Sequence, residues 1–214
     1  MLGSEQMSLA VQVAAIVAPV AIYFLLLGLL NSQPNPQMLS ARSDFILLNA
    51  AFAPVFCVPV LNYFGASVWT APVVIGAMLI LALVLAPRRA SNWVVYNITL
   101  PVALRAAERA LSTMGESFER RDRSLLLKRK YLVLKFSSMP LLRNVSISVE
   151  GNDATDFGKK FEGLLAAQLA GVSTVATPMA VTFLLIATTM LITPVGLLAD
   201  RMPEMVRIIT DLIR

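Results

Sequence analysis

The sequence predicts a membrane α-helical bundle of four transmembrane helices with one small α/β domain, an antiparallel sheet with two helices, inserted before the last helix. Three observations carry this. The chain is 57% hydrophobic and 14% charged, whereas soluble chains carry about 25% charged residues. Four runs contain no Asp, Glu, Lys or Arg over roughly the 20 residues needed to cross a hydrocarbon core. Between the third and fourth runs, residues 88–173 hold fourteen Lys or Arg against eight Asp or Glu, a net of +6.

Taken in order, residues 9–30 (LAVQVAAIVAPVAIYFLLLGLL) form the first span. The preceding MLGSEQMSLA has no Lys or Arg, so the basic region of a cleavable signal peptide is missing and the helix is expected to stay as an anchor. The connector NSQPNPQMLSARSD follows: Pro34 and Pro36 cannot continue the helix, and Asn31 suits its C-terminal cap. Residues 45–65 and 70–87, separated by ASVW, read as a transmembrane hairpin, and 174–199 as the fourth span. Pro19, Pro54, Pro59, Pro72, Pro178 and Pro194 would kink these helices, with hydroxyls such as Thr182 and Thr193 satisfying freed backbone groups.

In the 88–173 domain NWVVYNI (92–98) reads as a strand. LPVALRAAERALSTM (100–114) sets Leu100, Leu104, Ala107, Leu111 and Met114 at helical spacing, opposite Arg105, Glu108, Arg109 and Ser112. YLVLKFS (131–137) and NVSISVE (144–150) alternate apolar and polar residues, giving a hairpin turned by SSMP, and 124–128 adds a short strand before a KRK turn. ATDFGKKFEGLLAAQLAG closes the domain as a helix with its apolar stripe on Phe157, Phe161, Leu164, Leu165 and Leu169 and a capping Asp153. Both helices are expected on one face of the sheet.

The distribution of Lys and Arg near helix ends orients the chain. The N-terminus and ASVW hold none, the first connector holds Arg42, and Arg88 and Arg89 follow the third span. Four crossings bring Arg42, Arg88 and Arg89 together in the cytoplasm only if both termini lie outside and the 88–173 domain inside. The expected location is therefore the bacterial cytoplasmic (inner) membrane.

Several chemistries lack their residues in this chain. Histidine is absent and Cys57 is the single cysteine, so no Cys/His zinc site, no His-based nucleophile and no intrachain disulfide can be assembled from it. Cys57, within an apolar run, reads as a small buried hydrophobe. The four spans carry no ionisable Asp, Glu, Lys or Arg, which ion-coupled carriers retain although each costs about 2.5–3.5 kcal/mol at mid-membrane. Gln12, Asn49 and Asn62 are read as hydrogen bonders between helices. No cofactor is expected.

The candidate contacts are basic and interfacial. In RRDRSLLLKRKYLVLKF (120–136), Tyr131 and Phe136 fit strand alternation rather than stacking platforms, so Lys128, Arg129 and Lys130 suit an anionic membrane surface or plain solvation better than nucleic acid. In the connector, Ser43 or Asp44 caps the second helix and Arg42 anchors it at the phosphates, or Arg42 and Asp44 contact a headgroup or the basic domain. Arg88 and Arg89 join this set. In the tail, 200–214, the stripe of Met202, Val206, Ile209 and Ile213 suits docking on lipid or on a partner helix.

Together, the connector N-S-x-P-x-P-Q-x-L-S-x-R-x-D-F and the tail A-D-R-M-P-E-M-V-R resemble a set of bacterial polytopic inner-membrane proteins of no assigned activity. The resemblance implies a membrane location and brings no functional residue. The expected role is a non-enzymatic subunit or adaptor of a larger membrane assembly, contacting the bilayer and protein partners. The alternative is a small transporter or channel component acting as a homo-oligomer; a lipid-modifying enzyme built on Arg42 and Asp44 lacks a nucleophile or base.

Overall fold

The computed structural model describes residues 2–65, 69–87, 91–128, 131–151, 153–174, 178–199 and 203. Among the described residues, three helices are long and apolar enough to cross a membrane: α1 (Leu2–Ser32, with its apolar span Val11–Ser32), α2 (Ala41–Phe64) and α6 (Pro178–Ala199, span Pro178–Gly196). The expected third span is shorter than the reading of 70–87. Helix α3 covers Thr70–Leu85, about 24 Å at 1.5 Å per residue, against roughly 30 Å of hydrocarbon. The expected tail helix, 200–214, lies outside the described residues apart from Pro203.

The chain divides into two compact units. In the first, which holds most of the apolar helices, Tyr23 meets Phe52 edge-on at 6.1 Å and Phe24 stacks on Phe183 at 5.9 Å. Ala21, Ala51 and Ala187 are buried, small side chains that let apolar helices approach closely. Gln12 and Asn62 exchange side-chain hydrogen bonds, Gln12 Nε2 donating to Asn62 Oδ1 at 3.4 Å and Asn62 Nδ2 to Gln12 Oε1 at 3.2 Å. Each amide thus finds a partner where lipid offers none. Among the prolines, Pro178 opens α6 and Pro72 lies in the first turn of α3, where the missing N–H is not needed; Pro19, Pro54, Pro59 and Pro194 lie inside helices.

The second unit, Leu27–Leu47 with Leu85–Thr182, is larger than the stretch 88–173 marked by charge. Its six-stranded antiparallel sheet runs β1-β2-β6-β5-β4-β3, with β1 Gln37–Ser40, β2 Asn92–Tyr96, β3 Glu119–Arg121, β4 Ser124–Leu127, β5 Leu132–Met139 and β6 Asn144–Glu150. Helices α4 (Leu100–Thr113) and α5 (Ala154–Ala170) cover one face. The expected strands and both helices appear; β1 and β3 do not follow from the alternation. The SSMP stretch is not the turn: β5 runs on through Met139, and a single 3-10 turn, Pro140–Leu142, joins it to β6.

Alternation decides which side chains are buried. Trp93, Val95, Val145, Ile147, Val149, Leu132, Leu134 and Phe136 face α4 and α5 and are almost fully buried with Phe161, Leu165 and Leu111. Intervening residues such as Lys135, Ser137 and Ser146 are exposed on the other face. Helix α5 rides so close over β2 that a Cβ at Gly158 would sit 2.8 Å from Ser91 Cβ and 3.3 Å from the Trp93 ring. Asp153 opens α5 through its backbone carbonyl, which accepts from Phe157 N–H at 3.1 Å, and its side chain makes no capping bond. The expected side-chain cap is absent because Asp153 has φ −103° and ψ 24°, away from the extended backbone of a capping residue.

Ile147→Asp would bury an unpartnered carboxylate and is expected to cost on the order of 3–5 kcal/mol. Ser146→Asp, one residue along on the exposed face, should cost less than about 1 kcal/mol. Limited proteolysis of the detergent-solubilised protein separates them; equal sensitivity would remove the assigned strand register.

Candidate functional site

The site that the fold assembles from distant residues lies where the sheet meets the connector between α1 and α2. Ser40 ends β1 and caps α2: its Oγ accepts from the backbone N–H of Ser43 at 3.0 Å and lies 2.8 Å from Ser43 Oγ. Ser40, rather than Ser43 or Asp44, is therefore the cap, because the helix begins at Ala41, before either of them. One turn into α2, the Asp44 carboxylate accepts a hydrogen bond from the Tyr96 phenol. Tyr96 projects from β2 on the face away from α4 and α5 and is 1% exposed.

Asn97 follows directly. Its φ of 56° is left-handed, a conformation that Asn tolerates better than most residues. That geometry turns its buried side chain toward two other segments, Nδ2 donating to Gln33 O at 2.9 Å and to Thr174 Oγ1 at 2.8 Å. Thr174 then donates through its backbone N–H and its hydroxyl to Pro34 O, at 2.8 and 3.0 Å. Asn97 Oδ1 is buried and has no partner among the described residues. One amide thus joins the exits of α1, β2 and α5.

The other candidate residues fall in separate places. Arg42 is exposed in the first turn of α2, with no ion pair among the described residues. Lys128 lies at the opposite end of the sheet. Met139 and Tyr96 both pair with Asn144, while Lys128 follows Leu127, the partner of Leu132; seven residues of β5 separate these ends, about 24 Å at 3.4 Å per residue. Lys128 Nζ is 2.8 Å from Glu119 Oε2, whose other oxygen is 3.1 Å from Arg121 Nε. Hydrogen bonds from Lys128 and Arg121 hold the Glu119 carboxyl below its ordinary range. Arg120 pairs with Glu108 at 3.1 Å and Lys135 with Glu150 at 2.7 Å. Much of the basic run is therefore paired within the sheet and α4. Arg88, Arg89, Arg129, Lys130, Met202, Val206, Ile209 and Ile213 lie outside the described residues.

In chemical terms the junction is a clamp of neutral and charge-assisted hydrogen bonds, with the Asp44 carboxylate occupied by a phenol. Among the described residues, no group of three His, Cys, Asp or Glu is placed to hold a metal ion. Sequence reasoning found Asp44 but missed Tyr96, Asn97 and Thr174; the one available signal was an Asn directly after a strand, a residue suited to a left-handed turn. Comparison with protein-family profiles, curated proteins and solved structures returns no match.

Asn97→Ala removes two hydrogen bonds, about 1 kcal/mol each, and replaces Asn, which tolerates the left-handed region, with a residue that tolerates it less well, about 1 kcal/mol more. Asn97→Gly loses the same bonds but keeps the backbone. Thermal unfolding in detergent should show a loss of about 3 kcal/mol for Ala and about 2 kcal/mol for Gly; a Gly variant no more stable than Ala would separate the backbone from the clamp.

Proposed function

We propose that this chain is a non-enzymatic, multi-pass subunit or adaptor of a larger assembly in the bacterial cytoplasmic membrane, with its sheet domain in the cytoplasm and both termini outside. The observation that carries the reading is the β1–β2 ladder, Gln37 with Tyr96 through Ser40 with Trp93. Strands in one ladder lie on one side of a bilayer, so an even number of crossings separates Ser40 from Asn92. Helix α2 supplies one crossing and α3, though short, supplies the return. Exposed Tyr63 and Phe64 at the end of α2 and Trp69 just before α3 suit a membrane interface. By the same parity, α1 and α6 enter and leave on the side opposite the sheet.

A domain fastened by an edge strand and the Asn97 clamp holds its surfaces in fixed register with the connector, as an adaptor requires and a flexible tether does not. The transporter alternative draws less support, because Gln12 and Asn62 satisfy each other instead of lining a path. The lipid-modifying alternative draws little, because the Asp44 carboxylate already accepts from Tyr96.

Two experiments test this. Purified gently from its native membrane, the protein should migrate in a hetero-oligomer of fixed stoichiometry; recovery as a homo-oligomer alone would favour the transporter reading. For orientation, cysteines at Ser67 and at exposed Ser137, each in a Cys57→Ser background, should label oppositely with an impermeant maleimide in intact cells, Ser67 reacting and Ser137 protected. Ser91 is unsuitable because it is 1% exposed. Labelling at Ser137 without lysis would reverse the topology.

A further inference from the structure

We propose that the groove between α4 and α5 binds the phosphate headgroup of an anionic phospholipid, held by Arg105 and Arg109. The groove encloses about 350 Å³ and is lined by Val102, Arg105, Ala106, Arg109, Gln168 and Val172. The two arginines stand one helical turn apart, the spacing that brings side chains i and i+4 together on one face. Both are exposed, and neither has an acidic partner among the described residues.

Their lack of neutralisation has a specific cause. Glu108 is the carboxylate best placed within α4 to pair with Arg105, three residues back, but it is drawn to Arg120 of β3 at 3.1 Å. Two guanidiniums are left over a groove whose remaining polar contribution is the Gln168 amide and whose walls are Val102, Ala106 and Val172. Planar forked donors of this kind match a phosphate bidentately. The α4 N-terminus and the α5 C-terminus lie at the same end of the helical layer, so their macrodipoles oppose each other and the side-chain charges decide the sign.

The place of the groove in the chain selects a lipid as the ligand. Val172 is two residues before Thr174, which hydrogen-bonds Pro34 just beyond the end of α1, and six before Pro178, where the last apolar helix begins. The same end of the sheet carries the turn after β5, where Met139 is 54% and Leu141 65% exposed, while Ile98 N–H bonds Arg143 O. Apolar side chains projecting beside basic ones suit the boundary between headgroups and acyl chains. The volume lies at the small end of ligand sites, about 300–1,000 Å³, room for a phosphate with its ester substituents while acyl chains remain in the bilayer.

The test titrates the full-length protein, in neutral detergent, with dihexanoyl phosphatidylglycerol, dihexanoyl phosphatidylcholine or inorganic phosphate, read by calorimetry. Phosphatidylglycerol should bind at least roughly tenfold more tightly than either of the others. Arg105→Gln with Arg109→Gln should weaken it by about tenfold or more, and Lys159→Gln with Lys160→Gln, on exposed positions of α5 outside the groove, should leave it within about twofold. The isosteric Gln168→Glu should also weaken it by turning a carboxylate on the two arginines, and it decides the matter if the double arginine variant fails to fold. Equal binding of the two lipids, or retention of affinity by a folded arginine variant, would overturn the proposal. Inorganic phosphate binding as tightly as phosphatidylglycerol, and lost in the same variants, would assign the groove to free phosphate and remove the lipid.

Discussion

The left-handed backbone at Asn97 is the constraint on which the domain's attachment depends. With φ at 56°, the side chain leaves the end of β2 aimed at Gln33 and Thr174, and three segments far apart in sequence share one buried amide. An extended residue there would send the chain on in line with β2 and leave the Gln33 carbonyl and the Thr174 hydroxyl to other partners. The Asp44 bond from Tyr96, one residue earlier, holds the first turn of α2 to the opposite face of the same strand. Two consecutive residues thus secure the connector on one side and the exit of α5 on the other.

Charge is managed in the same local fashion. The domain is strongly basic by count, yet Arg120, Arg121, Lys128 and Lys135 each have a carboxylate within 3.1 Å. These pairs are exposed, so each is worth little in stability. Their consequence is where positive potential survives: it is reduced along β3, β4 and β5, while Arg105 and Arg109 of α4 have no acidic partner among the described residues. A count along the sequence cannot show this, because the partner of Glu108 comes from a strand twelve residues further on.

Elements whose burial imposes a period were legible. Helix α4, with its buried positions at helical spacing, and β6, alternating Val145, Ile147 and Val149 against serines, both have one wet and one dry face. Strand β1 was hidden because QMLS offers two apolar residues in a polar, proline-flanked connector, and its pairing is decided by a strand more than fifty residues away. Strand β3 was hidden because Glu-Arg-Arg has no apolar alternation; at a sheet edge its charges discourage pairing with another chain. The candidate site was partly legible at Asp44, the one candidate residue that takes part in it. The Asn97 clamp was not, since its geometry follows from a single backbone torsion and from segments that only the tertiary fold brings within reach.

The β1–β2 ladder also has a meaning for how the protein is made. Strand β1 leaves the ribosome before α2 and α3, and its partner leaves after both, so on the proposed topology the edge of the sheet stays open while α2 and α3 insert. Should α3 fail to cross back, β1 and β2 would emerge on opposite sides of the membrane and the sheet could not close, leaving Val94 and Tyr96 without their β1 partners Leu39 and Gln37. On that topology, completion of a water-facing sheet is conditional on an event inside the lipid. A chain inserted with the wrong parity carries a visible defect, exposed apolar surface and an unpaired strand edge, of the kind that cellular quality control removes.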